Sequence, residues 1–149
     1  MWGSGSGHAV SDSNLSSGFP LKSTDTVKQG TFCCWYYTWP WFGSSPTAGV
    51  IMGKKSYGGA SGSFDLCIKS DATLSIEWNS AGTLETFPIN FTLVDGVWYH
   101  FGLAIDGIAK TCVLRIYDSL ADSSTTFSVS PSGEMGLTCL LYTSDAADE

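Results

Sequence analysis

The chain has 149 residues and a formal net charge of −7, with 43% hydrophobic and only 14% charged residues. This length suits one domain with a sizeable core, and the 6 Trp, 6 Tyr and 8 Phe exclude a disordered chain. No basic cluster is present, so no nucleic-acid binding is expected, and no apolar run approaches the ~20 residues of a membrane span, so no membrane insertion is expected.

The chain is predicted to form β-strands from end to end, because β-branched and aromatic runs alternate with Gly, Asp, Asn and Ser turns. No helix-period stretch of useful length interrupts them. Alternation of this kind, repeated at sandwich spacing, predicts an all-β jelly-roll sandwich of two antiparallel sheets. The predicted strands are 30–39, 49–53, 63–69, 73–78, 87–93, 97–105, 111–117 and 124–129.

The alternation also predicts which side chains face the core. Strands 63–69 and 73–78 are expected to pair as a hairpin with one apolar face and one polar face. Asp65 and Lys69 fall on the polar face, and Glu77 is expected there as a solvated charge. Three tryptophans are assigned to the core: Trp35, Trp78 and Trp98.

Aromatic residues cluster in the loop that follows the first predicted strand, at residues 39–43 (WPWFG). Exposed rings suit sugar stacking, because a ring face matches a pyranose face. Alternatively, Trp39 and Phe42 fold back and plug the end of the sandwich. The candidate ligand-binding residues are Trp39, Trp41 and, in a Gly-rich loop, Tyr57.

The stretch DGVWYHFGLAIDG at residues 95–107, followed by LRIY at 114–117, resembles the laminin-G-like family of the concanavalin A-like lectin and glucanase superfamily. Residues 31–35 and 50–54 are similar to earlier strands of that family, so the resemblance covers roughly residues 3–138. The chain departs from the family at 118–120, where Asp-Ser-Leu replaces the usual Val-Asp-Gly hairpin.

The resemblance implies a concanavalin A-like jelly roll that binds carbohydrate, protein or Ca²⁺. We therefore expect a non-catalytic module that recognises carbohydrate or glycoconjugate, within a larger multidomain protein that is extracellular or on a cell or virion surface. The alternative is a structural or adhesion domain that contacts protein, as in a phage fibre or a bacterial surface protein. A glycoside hydrolase ranks lowest. Such an enzyme needs two carboxylates that face the scissile bond, whereas Glu77 and Glu85 are eight residues apart and separated by a predicted turn.

Histidine and cysteine give no catalytic signal. His100 is expected to be a hydrogen-bonded strand residue, since no nucleophile motif accompanies it. No paired C-x₂-C spacing exists, so no metal site is expected from the cysteines. Four cysteines are expected to be thiols packed in the core, although a disulfide among them stays an open alternative. They are Cys33, Cys34, Cys67 and Cys112.

Calcium remains a candidate cofactor, because aspartates recur in the predicted turns and Ca²⁺ takes several oxygen ligands. Aspartate more often forms turns than it binds calcium, so turn formation is the favoured interpretation. The aspartates concerned are Asp12, Asp71, Asp95, Asp106, Asp118 and Asp122.

The last eleven residues, CLLYTSDAADE at 139–149, match the translation of a widely used transposon-type sequencing adaptor. We expect this tail to be foreign to the fold, and the gene to come from environmental sequence. The domain is then 1–138, incomplete at both ends, and natural relatives are expected to diverge from this chain after about residue 138.

Overall fold

The computed structural model describes residues 28–39, 48–55, 62–80 and 82–135. Every regular element among them is a β-strand, as the alternation in the sequence predicted. The strands are β1 (Gln29–Tyr37), β2 (Gly49–Lys55), β3 (Gly62–Ile68), β4 (Thr73–Ser80), β5 (Thr83–Thr92), β6 (Trp98–Asp106), β7 (Thr111–Asp118) and β8 (Ser123–Val129).

The strands form two antiparallel sheets of four, with the orders β1-β6-β7-β8 and β2-β3-β4-β5. The predicted all-β sandwich is therefore confirmed. Each strand from β2 to β5 pairs with its neighbour in sequence, as do the strands from β6 to β8. β1 joins the second group by pairing with β6 along nine residues, so the chain changes sheet between β1 and β2 and again between β5 and β6.

The core lies between the two sheets and is built from the apolar phase of each strand. In β6, Tyr99, Phe101 and Leu103 are fully buried and alternate with more exposed residues, which places every second side chain against the opposite sheet. The largest fully buried side chains are Trp78, Tyr99, Phe64, Phe101, Leu66, Leu74, Ile76, Leu103, Leu114, Ile116 and Met135.

β5 begins at Thr83, four residues before the predicted start at 87. The predicted phase is nevertheless correct, because Ile89 is buried and Phe87 and Phe91 pack against the core. Pro88, which has no backbone N–H to donate, is tolerated because β5 lies at an edge of its sheet.

The β3–β4 hairpin has the predicted polar face, but the expectation that this face is in contact with solvent is wrong. Asp65 is 0% exposed and Glu77 is 6% exposed, so Glu77 is not a solvated charge. β3 and β4 are the two interior strands of their sheet, and both of their faces are buried. Alternation identifies the face that is polar, but it does not show whether that face is covered.

Candidate functional site

Trp35 and Trp98 are not core residues, contrary to the sequence-based assignment. Trp35 is 58% exposed and Trp98 is 48% exposed, whereas Trp78 is fully buried as predicted. In β1 the residues that pack against the core are Phe32, Cys34 and Tyr36, so Trp35 must face outward. In β6 the apolar phase begins at Tyr99, which places Trp98 on the outer face for the same reason.

The outward rings form a connected group on the outer face of the β1-β6-β7-β8 sheet, which we call the aromatic face. Ring centroids lie 5.0 Å apart for Trp35–His100 and for Tyr37–Trp98. They lie 6.4 Å apart for Trp35–Trp98, 6.1 Å for Trp35–Tyr117 and 6.2 Å for Tyr37–Trp39. The aromatic face comprises Trp35, Tyr37, Trp39, Trp98, His100 and Tyr117.

Strand register creates this grouping. Trp35 pairs with His100 across β1 and β6, and His100 pairs with Tyr117 across β6 and β7, which gives one row of three rings. Tyr37 pairs with Trp98 in the adjacent row. Directly opposite residues of neighbouring strands project from the same face, so rings distant in sequence become contiguous.

Trp39 is held at the end of this row by the residue before it. The Thr38 hydroxyl is buried, donates to the Val94 carbonyl oxygen at 2.5 Å and accepts from the Val97 amide at 2.8 Å. The Thr38 backbone exchanges further hydrogen bonds with Val97 and Gly96. This clamp fixes the chain where β1 ends, and Trp39 beyond it is 66% exposed.

Trp39 therefore does not plug the end of the sandwich. Of the three predicted ligand-binding residues it is the one whose surroundings the structure describes. Trp41 and Tyr57 lie outside the described residues, as does Phe42.

Polar groups adjoin the rings on the β7 side. The Tyr117 hydroxyl donates to Asp122 Oδ1 at 2.9 Å, and Arg115 donates to the Ser124 hydroxyl at 3.2 Å. The hydrogen bond to Asp122 raises the pKa of Tyr117 above its ordinary value. Tyr117 is thus a neutral hydrogen-bonding group at physiological pH. The aromatic face combines flat apolar surfaces with hydrogen-bond donors and acceptors along one side.

Three of the turn aspartates, Asp71, Asp106 and Asp118, act as turn formers, as the favoured interpretation predicted, whereas Asp122 accepts from the Tyr117 hydroxyl. Asp71 accepts from the Thr73 amide, Asp106 accepts from the amides two and three residues on, and Asp118 does the same in its own turn. Asp12 lies outside the described residues. Among the residues described, the acidic and thiol side chains grouped closely enough to share one ion are Asp65, Cys67 and Glu77, none of which lies in a turn.

The two glutamates considered for hydrolysis do not form a pair. Glu77 is opposite Thr86 in the β4–β5 register, and Glu85 is opposite Trp78, so the two side chains project from opposite faces. Glu85 is bonded to Ser80 and Ser132. The four described cysteines form no disulfide, which answers the open question in favour of thiols for the described part of the chain: Cys33, Cys34, Cys67 and Cys112.

No protein family, curated protein or solved structure matches this chain. Among the described residues, no helix is long and apolar enough to cross a membrane.

Proposed function

We propose that the chain is a non-catalytic binding module that recognises carbohydrate or glycoconjugate through the aromatic face. The observation that carries this proposal is the exposure of Trp35, Trp98 and Trp39 in one connected group of rings. Leaving large rings in water forgoes the free energy of burying them, so a cluster of exposed rings on a folded surface indicates a binding role.

Carbohydrate is the ligand class that fits this surface best. The axial C–H groups of a pyranose stack on a ring face, while its hydroxyls need donors and acceptors beside the ring. Tyr117, whose ring contacts Trp35, supplies such a group, as do Asp122, which accepts from the Tyr117 hydroxyl, and Arg115, two residues before Tyr117 on β7. The resemblance of residues 95–107 to laminin-G-like domains supports the same ligand class and a place in a larger extracellular or surface protein.

A protein ligand is the second candidate, and Arg115 beside the rings favours it. Protein interfaces are enriched in Trp, Tyr and Arg, which are the side chains that the aromatic face and its border contain. In that case the chain is a structural or adhesion domain. Binding to deglycosylated protein partners, with no binding to free glycans, would favour this candidate over carbohydrate.

The test is binding of the purified chain to a glycan array and to insoluble polysaccharides, compared with Trp35→Ala and Trp98→Ala. Each variant is expected to bind about 10-fold more weakly, which corresponds to ~1.4 kcal/mol for one stacked ring. Because both rings are about half exposed, the melting temperature is expected to change little.

The matched control is Ile108→Ala, which removes an apolar side chain that is 47% exposed in the β6–β7 turn, at the opposite end of β6 from Trp98. This variant is expected to bind as the wild type does. The proposal fails if the wild-type chain binds no glycan, or if Trp35→Ala and Trp98→Ala bind as tightly as Ile108→Ala.

A further inference from the structure

A second group of side chains, on the outer face of the other sheet, has the composition of a metal site. Asp65 and Cys67 on β3 and Glu77 on β4 are all buried, and their carboxylate oxygens and thiol sulfur lie within 4.8 Å of one another. Asp65 pairs with Glu77 in the strand register, and Cys67 pairs with Ser75. The four side chains therefore form a compact square on one face of two interior strands.

Ser75 gives an independent indication that a ligand belongs in this square. Its side chain is 1% exposed, and its hydroxyl oxygen has no hydrogen-bond partner among the described residues. A buried hydroxyl is costly when its hydrogen bonds are not made. Because Ser75 is directly opposite Cys67, a ligand held by the thiol and the carboxylates lies within reach of this hydroxyl.

Gly53 leaves the space that the Asp65 carboxylate occupies. The two residues are opposite each other in the β2–β3 register, and a Cβ atom at position 53 would overlap Asp65 Oδ1. Any side chain at this position would displace the carboxylate, so glycine here keeps Asp65 turned inward beside Glu77.

We propose that Asp65, Cys67 and Glu77 bind a thiophilic divalent cation such as Zn²⁺, with the Ser75 hydroxyl beside it. Thiolate and carboxylate are ordinary zinc ligands, whereas Ca²⁺ and Mg²⁺ take oxygen ligands alone. Tetrahedral zinc places a sulfur and an oxygen ligand about 3.6 Å apart. Small rotamer changes therefore bring atoms that already lie within 4.8 Å to coordination distance.

The charges balance when the ion is bound. Two carboxylates and one thiolate are offset by the divalent ion and by Lys69, whose Nζ lies 3.6 Å from Glu77 Oε1. The thiol proton leaves to solvent as the sulfur–metal bond forms, so the affinity is expected to rise with pH. The ligands come from two strands, which is why the spacing of cysteines along the sequence carries no sign of this site.

The test is titration of the full chain with Zn²⁺ against a chromogenic chelator, together with Co²⁺ absorption spectroscopy. The wild type is expected to bind one ion per chain and to show a near-ultraviolet sulfur-to-cobalt charge-transfer band. Cys67→Ser is expected to abolish that band, and Glu77→Gln to weaken Zn²⁺ binding by at least about 10-fold while the thiol is kept.

The matched control is Cys33→Ser, which removes an exposed thiol outside the cluster and is expected to leave both readouts unchanged. A wild-type chain that binds no stoichiometric Zn²⁺ overturns the proposal, whatever the variants do. A charge-transfer band that survives in Cys67→Ser also overturns it, because the ion then lies on another thiol. The aromatic face lies on the other sheet. Loss of glycan binding and loss of Zn²⁺ binding are therefore separate results, and either proposal can fail while the other holds.

Discussion

Tyr36 and Trp35 are neighbours in β1, yet one packs against the core and the other is largely in solvent. The same contrast holds for Tyr99 and Trp98 in β6. At the scale of single residues, the strand phase decides the role of an aromatic side chain, and residue type alone does not. The apolar phase of β6 could be read from the sequence, whereas both phases of β1 carry cysteine and aromatic residues, and only the structure selects Phe32, Cys34 and Tyr36 for the core.

The reactivity of each cysteine thiol likewise depends on its position in the strand, and this dependence can be tested. Burial raises the pKa of Cys112 from 9.0 to about 12, which lowers its thiolate fraction about 1000-fold at any pH below both values. Burial, and then the neighbouring Cys33, raise the pKa of Cys34. In native protein, Cys33 is therefore expected to react fast with a disulfide reagent, and Cys112 only on unfolding.

The measurement is the amplitude of the fast phase in a reaction with excess Ellman reagent and a metal chelator. Cys33→Ser is expected to reduce this amplitude by one thiol per chain relative to wild type. Cys112→Ser serves as the control and is expected to leave it unchanged. If Cys112→Ser removed the fast phase, the described burial of that thiol would be wrong.

At the scale of elements, the segment after β8 ties the two sheets together. The Trp78 indole donates to the Gly133 carbonyl oxygen at 3.2 Å, and Met135, which is fully buried, pairs with Ser80. Glu85 on β5 accepts hydrogen bonds from the hydroxyl of Ser80 and from the amide and hydroxyl of Ser132. No alternation in the sequence predicts the contacts of Ser132, Gly133 and Met135, because they join this irregular segment to strand residues 47 to 55 positions away.

Glu85 makes this tie pH-dependent. Partial desolvation raises the pKa of Glu85, but the hydrogen bonds from Ser80 and Ser132 outweigh it and leave the pKa below its ordinary value of 4.5. A carboxyl whose pKa is lowered on folding stabilises the protein above its unfolded-state pKa. That stability is lost as the pH falls through the folded-state pKa.

Glu85→Gln is accordingly expected to cost about 1 kcal/mol in the free energy of unfolding at pH 7, after allowance for partial exposure. The difference from wild type should shrink as the pH falls below 4.5, and urea denaturation across this range measures it. Asn90→Ala is the control, since Asn90 is an exposed residue of the same strand and carries no carboxyl group. An equal loss in both variants would contradict the role given to Glu85.

At the scale of the whole molecule, each sheet has a distinct outer face. The outer face of β1-β6-β7-β8 carries exposed rings, whereas that of β2-β3-β4-β5 carries buried polar groups on its interior strands. The two proposed sites therefore lie on opposite outer faces of the sandwich, and the two sheets between them are themselves about 10 Å apart. Residues 139–149 lie outside the described part of the chain, and the expectation that they are foreign to the fold needs an experiment.

Deleting residues 139–149 is expected to change the melting temperature by no more than about 2 °C and to leave glycan binding intact. Deleting 130–149 is the comparison, because it also removes Met135 and the Gly133 carbonyl that Trp78 contacts. Loss of a buried methionine lowers the free energy of unfolding by about 2–5 kcal/mol. The chain that lacks residues 130–149 should therefore have a much lower melting temperature than the chain that lacks only 139–149. Equal melting temperatures for the two truncated chains, or a large drop in the first, would contradict this division.

The sequence by itself determined the all-β class, the strand order along the chain and the apolar phase of β3, β4 and β5, because a period of two is a local property. Tertiary structure alone decided that Trp35, Trp98, His100 and Tyr117 lie together, since register joins strands distant in sequence. It also decided that Asp65 and Glu77 are buried. Whether a polar face is covered depends on what packs across it, and no alternation within one strand carries that information.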